Sequence, residues 1–243
     1  MGMRSCAKAG CGLAFVGAAI FMPMSAQAGE GAGFYGSLRA GTSLLQSMNF
    51  AEASTANLAL NPAAGFVVGG AAGFHVTDDL RLELDLSYAR NDLVGRFQQN
   101  VQAFVPCGQV AGNPCLSSRV DGDIASTSGF GMAYYDLPVI GPLKPHLGLG
   151  VGLVSVDMGV GASATMNNGT ASRFTVIDGS NTLLGYRGDI GVAYDLGDID
   201  LTLGYTYTLT DRLGVAGKGT LVSFDFDRRP TTHAISAGVS YEF

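Results

Sequence analysis

Three histidines, His75, His146 and His233, together with a set of carboxylates and arginines, are the groups through which this 243-residue chain could do chemistry. Nucleophilic catalysis needs a hydroxyl or thiol within hydrogen-bond reach of a base. His233 and Ser236 come nearest in sequence, but a separation of three places them on opposite faces of a strand. Metal binding is no better served. Asp225 and Asp227 stand beside Arg228 and Arg229, Asp121 and Asp123 make a similar mixed-charge tip, and no Cys/His cluster has ligand spacing. Cys107 and Cys115, with seven residues between them, lack partners for a zinc site. No cofactor and no catalytic residue is expected, and the chain reads as a non-enzyme. A different pattern stands out: Arg81, Glu83 and Asp85 recur at every second position, and so do Arg187 and Asp189. Charges at that spacing share one face of a β-strand. There they would form a selectivity ring, a proton path or a set of internal ion pairs.

The composition says what kind of strand this is. Hydrophobic residues make up 47% of the chain and charged ones 14%, with 36 glycines and no tryptophan, which excludes disorder. Fourteen Lys and Arg against 20 Asp and Glu give a net charge of −6, which argues against a nucleic-acid partner. The mean hydropathy is positive, yet beyond the N-terminus no apolar run approaches the ~20 residues of a spanning helix. A hydrophobic, glycine-rich chain without long apolar runs has the composition of a membrane β-barrel. Residues 1–28 read as a secretory signal: Arg4 and Lys8, an apolar run from Ala9 to Met22, Pro23, and the small-residue site Ala26-Gln27-Ala28. In the oxidising compartment beyond it, a disulfide between Cys107 and Cys115 is expected.

Period-two alternation marks the elements. Leu80, Leu82, Leu84, Leu86 and Tyr88 oppose Arg81, Glu83, Asp85 and Ser87; Leu184, Tyr186, Ile190, Val192, Tyr194 and Leu196 oppose Arg187, Asp189, Ala193 and Asp195. Residues 201–209 and 235–243 repeat the pattern, and weaker strands fall at 34–41, 64–74, 127–137 and 146–156. Thr77-Asp78-Asp79, the Pro138 to Pro145 stretch and Gly197-Asp198 read as short turns. The other connections, about 42–63, 91–126, 157–182 and 211–231, are long. Short and long alternate strictly, as in an all-β, eight-stranded, antiparallel up-and-down transmembrane barrel over residues 29–243, with its four long loops outside the cell.

A soluble barrel has the same period with its apolar face inward. Two features favour the membrane. The polar faces interleave charges with Gly, Ala, Ser and Thr, as the narrow interior of an eight-stranded barrel requires. The apolar faces of the clearest strands carry no charge, and a mid-bilayer Arg or Lys there costs about 2–4 kcal/mol. Phe34, Phe74, Tyr134, Tyr194, Tyr241 and Phe243 fall toward one end of the strands and Phe66, Tyr88 and Tyr186 toward the other, as interfacial girdles. In this register Arg39, Arg81, Glu83, Asp85, Arg187, Asp189 and Glu242 point into the lumen. An unpaired buried charge is costly, so internal pairing that plugs the barrel has the stronger physical ground.

The last strand, Ile235 to Phe243, resembles the terminal strand that the outer-membrane assembly machinery reads, with Tyr241 and Phe243 as its signal. Tyr134-Tyr135-Asp136-Leu137 followed by Lys144-Pro145-His146-Leu147-Gly148-Leu149-Gly150-Val151-Gly152, and Gly185-Tyr186-Arg187-Gly188-Asp189 continuing to Leu203-Gly204-Tyr205-Thr206-Tyr207, are similar to motifs of the small porin-like surface antigens of Gram-negative bacteria. That family is related in fold to the OmpA barrel; His146 stands where it often has Tyr, and no peptidoglycan-binding domain is expected after strand eight. The resemblance implies an outer-membrane protein in contact with lipid and lipopolysaccharide. It would contribute to envelope integrity and meet a host-surface ligand through its loops. The alternative is a small pore or transporter for small or hydrophobic solutes, favoured by the glycines of the fifth strand.

Overall fold

Residues 33–46, 48–51, 57–97, 115–166, 171–213 and 229–243 are described by a computed structural model. The described chain forms β1 (Phe34–Leu45), β2 (Met48–Ala51), β3 (Asn57–Pro62), β4 (Gly65–His75), β5 (Leu80–Phe97), β6 (Cys115–Asp136), β7 (Leu143–Met166), β8 (Ala171–Asp195), β9 (Ile199–Thr210) and β10 (Thr231–Glu242). Eight of these, β1 and β4–β10, make an antiparallel meander, and β10 closes it by pairing with β1. Closure leaves no unpaired backbone facing hydrocarbon, which is the condition for a sheet to cross a bilayer.

Short turns occupy one end. Val76–Asp79 joins β4 to β5, residues 137–142 join β6 to β7, and residues 196–198 join β8 to β9. Gly141 (φ 63°) and Gly197 (φ 99°) hold the left-handed positions that such turns require, and the Gly197 amide donates to the Asp195 carboxylate at 2.7 Å. The turn expected over Pro138 to Pro145 is shorter than that. Pro145 already lies in β7, near its start, where a strand tolerates a residue without an N–H.

The wall is uneven in height. β1, β4, β9 and β10 have 11 or 12 residues, whereas β5, β6, β7 and β8 have 18, 22, 24 and 25. About 9–11 residues cross a membrane, so β6–β8, at least twice that length, continue beyond the bilayer as a crown at the end opposite the short turns. β3 pairs with the upper part of β5, from Leu93 to Phe97, where β4 has ended, and β2 pairs with β3. These strands correct the expected loop limits. The 42–63 stretch includes the end of β1 and both β2 and β3; the 91–126 stretch includes the top of β5 and the start of β6. The described residues of the 157–182 stretch are strand, and Thr231 opens β10.

The physical reason is an inversion of polarity along a single strand. In the lower part of β7, Leu147, Leu149, Val151 and Leu153 face outward while Gly148, Gly150 and Gly152 face the lumen. From Val154 upward the period persists but its sense reverses. Val154, Val156, Met158 and Val160 are buried inside, and Asp157 and Gly159 lie exposed outside. Above the bilayer the exterior is water, so apolar side chains move to the interior. Leu93, Ile124, Leu183 and Leu213 join them in a small core inside the crown.

Candidate functional site

The lumen is filled in layers, built by strands whose inward positions alternate large with small. Gly148, Gly150 and Gly152 of β7 lie opposite Tyr134, Met132 and Phe130 of β6. A Cβ at those glycines would collide with the Tyr134 ring, the Met132 sulfur and the Phe130 side chain and backbone. Gly73 and Gly69 of β4 make the same room for Tyr35 and Arg39 of β1. Phe130, fully buried, forms the middle of the plug.

At the short-turn rim, Lys144 pairs with Asp195 at 3.0 Å and Asp200 at 3.4 Å. One layer in, Arg81 pairs with Asp136 at 2.8 Å and lies against the rings of Tyr35 and Tyr134. The Tyr35 hydroxyl donates to Glu83 at 2.9 Å. His146, packed edge-on against Tyr134, is 3.9 Å from Asp189, whose other oxygen accepts from Thr206 at 2.6 Å. The central layer is a clasp. Asp85 has no exposure to solvent; one of its oxygens lies 2.5 Å from Arg39 Nη2 and the other 2.5 Å from Arg187 Nη1. Arg187 further donates from Nη2 to Ser87 and Ser128, at 3.2 and 3.1 Å, and its guanidinium covers the Phe130 ring at 3.9 Å.

Of the charges expected in the lumen, Arg39, Arg81, Glu83, Asp85, Arg187 and Asp189 lie in these layers. Glu242 does not. It has the inward parity, but it is the last residue of β10, exposed at the rim, and makes no ion pair among the described residues. Tyr134 is also corrected, from a lipid-facing girdle to a buried lumenal ring. Phe34, Phe66, Phe74, Tyr88, Tyr186, Tyr194, Tyr241 and Phe243 do face outward. Tyr241 and Phe243 stack edge to face at 5.2 Å, and the Phe243 amide donates to Phe34. His233 faces outward, bonded to the Tyr205 hydroxyl at 2.6 Å, while Ser236 is buried on the lumenal side. His75 lies beside Tyr35 near the rim. Asp123 pairs with Arg90 on the outside of the crown. Residues 1–28, Cys107 with its expected bond to Cys115, Asp225, Asp227 and Arg228 fall outside the described residues. Asp136, Ser87, Ser128, Phe130, Met132 and Tyr35 complete the site without having been singled out. The available signal was complementarity: a row of three glycines on β7 needs a row of large residues on its neighbour.

Above the clasp lies a cavity of about 70 Å³. Its lining divides into an apolar side (Val67, Ile124, Val154, Val156) and a hydroxyl side (Thr206, Thr208, Thr232, Ser236), with Arg39 and Arg187 beneath.

Residues 13–243 match the family model of the outer membrane protein beta-barrel domain. The chain belongs to that family. Among relatives, an uncharacterized protein of Brucella abortus (strain 2308) is 28% identical over 207 residues, covering 77% of this chain and 71% of that protein. One of Brucella suis biovar 1 (strain 1330) matches to the same extent. Among solved structures, Neisserial surface protein A has 22% identity, covering 88% of this chain and all of that one, at a TM-score of 0.46. Ail, the attachment invasion locus protein of Yersinia pestis, has 14% identity with the same coverage and a TM-score of 0.38. Family and fold together place the barrel in the outer membrane, with its girdled apolar band in lipid.

Proposed function

We propose that this protein is a sealed outer-membrane barrel whose work is done at its surface: the barrel anchors a tall extracellular crown that supports envelope integrity and makes contacts with lipopolysaccharide and with surface ligands outside the cell. The observation that carries the proposal is the clasp and its floor. Asp85 and Phe130 have no solvent exposure at the middle of the lumen, and each lumenal charge next to them is paired or hydrogen-bonded. The glycines that favoured a pore leave no lane, because Tyr134, Met132 and Phe130 occupy the space above them. The crown supports the second half of the proposal. At about 3.3 Å per residue, the 24 residues of β7 extend about 80 Å along the strand, against an apolar band about 25 Å tall. No covalent chemistry is assigned, since His233 and Ser236 point to opposite sides of the wall.

Planar-bilayer recording tests the seal. The expected trace from purified protein shows no stable open state; a long-lived conductance of porin size would overturn it. Detergent sensitivity of a deletion strain tests the envelope role, with restoration expected from the full chain but not from one whose crown has been shortened at β7 and β8.

A further inference from the structure

We infer that the outer half of the lumen is a binding site for a small organic anion, a short-chain monocarboxylate, seated on Arg39. The cavity above the clasp has two charged side chains in its lining, Arg39 and Arg187, and both are cationic. Every lumenal carboxylate lies elsewhere: Asp85 is beneath the two guanidiniums, and Glu83, Asp136 and Asp189 are engaged with Tyr35, Arg81 and Thr206. The carboxylates that offset the two guanidiniums, Asp85 and Glu83, are both absent from the cavity's lining, so the cavity meets N–H donors and no carboxylate.

The two arginines differ in what they have left to offer. Arg187 is committed through Nη1 to Asp85, through Nη2 to Ser87 and Ser128, and through Nε to Thr208. Arg39 is committed to Asp85 through Nη2, and its Nε and Nη1 have no hydrogen-bond partner among the described residues. Nε–H and Nη1–H point away from each other, with Cδ between them, so one oxygen of a carboxylate would accept a single charge-assisted hydrogen bond from Nη1. The rest of the cavity specifies the ligand's body. Val67, Ile124, Val154 and Val156 offer an apolar wall for a hydrocarbon tail. An apolar cavity of about 150 Å³ holds a benzene ring, so 70 Å³ accommodates about three to five non-hydrogen atoms. Acetate and propionate are of that size. The site is a dead end in the sealed barrel just proposed, and it rests on that proposal only for the ligand stopping at the clasp.

Isothermal titration of the refolded, detergent-solubilised protein with sodium propionate in chloride-free buffer is the test, with propionamide as the neutral isostere. Saturable propionate binding is expected, at least tenfold tighter than that of propionamide. Ala234→Leu, which fills the cavity without touching a charge, and Arg39→Gln should each weaken it at least tenfold, with heat-modifiable gel mobility confirming that both variants fold. Absence of saturable binding, equal binding of acid and amide, or undiminished binding by folded Ala234→Leu would overturn the inference. Conductance recording separates this result from the seal: a barrel that conducts yet binds propionate refutes only the seal, and a closed barrel that ignores propionate refutes only the site.

Discussion

Removing Asp85 should be among the most damaging single changes this barrel can suffer. In Asp85→Ala the two guanidiniums that shared its oxygens, each at 2.5 Å, are left facing one another in a layer with no solvent exposure at that carboxylate. Arg187 retains Ser87, Ser128, Thr208 and the Phe130 face, but none of these carries a negative charge. Breaking a buried ion pair from one side costs about 3–5 kcal/mol. At about 1.4 kcal/mol per factor of ten, this shifts the folding equilibrium by roughly 10²- to 4 × 10³-fold. Urea unfolding in lipid vesicles, followed by heat-modifiable mobility, is the assay. With a denaturant slope of about 2–3 kcal/mol per molar for a chain of this length, the midpoint should fall by about 1–2.5 M. Replacing the whole clasp by apolar side chains, Arg39→Met with Asp85→Leu and Arg187→Met, should recover stability to within about 1 kcal/mol, because no member of the clasp is then left as an unpaired buried charge. An Asp85→Ala midpoint within about 0.3 M of the parent would mean that water reaches the clasp, and the sealed lumen would be refuted with it.

Gly152→Val should lower stability by about 1–3 kcal/mol through overpacking, since its Cβ meets the Phe130 side chain and backbone, whereas Gly159→Val, with open space around it, should stay within about 0.5 kcal/mol; urea midpoints decide both. On intact cells, a membrane-impermeant maleimide should label Ser180→Cys, exposed on the upper part of β8, above the labelling of the parent. Asp198→Cys, in a short turn, should be labelled only after the outer membrane is permeabilised. The reverse pattern would invert the topology.

Where the strand has lipid on one side and a crowded lumen on the other, the sequence states its fold openly. Leu82, Leu84 and Leu86 against Glu83, Asp85 and Ser87 admit one orientation, and the structure has it. The crown was hidden by the same rule. From Val154 to Val160 the alternation continues with inside and outside exchanged, and Asp157 reads as a loop residue only if strands are assumed to end with the bilayer. Tyr134 was obscured for a related reason. On β6 the large residues Phe130, Met132 and Tyr134 share one face and Gly129, Gly131 and Ala133 the other, so hydrophobicity alone sends the large face to lipid. Only the register against Gly148, Gly150 and Gly152 shows that the large face fits inside. Which carboxylate pairs with which arginine depends on side chains from β1, β5 and β8 converging across the lumen, and no spacing along the chain encodes that. Glu242 followed parity correctly, but the end of a strand stands where the walls no longer enclose it.

The chain contains no tryptophan, so a single one placed at Leu149 reports without background. Leu149 is 75% exposed on the outer face of β7, midway along the apolar stretch from Leu147 to Leu153. The measurement is fluorescence of Leu149→Trp in vesicles of lipids brominated at different depths along the acyl chain. Emission should be blue-shifted and quenched most strongly by bromines near the bilayer centre. Red-shifted emission that bromine leaves untouched would put this face in water and contradict a barrel that wears its apolar side toward lipid.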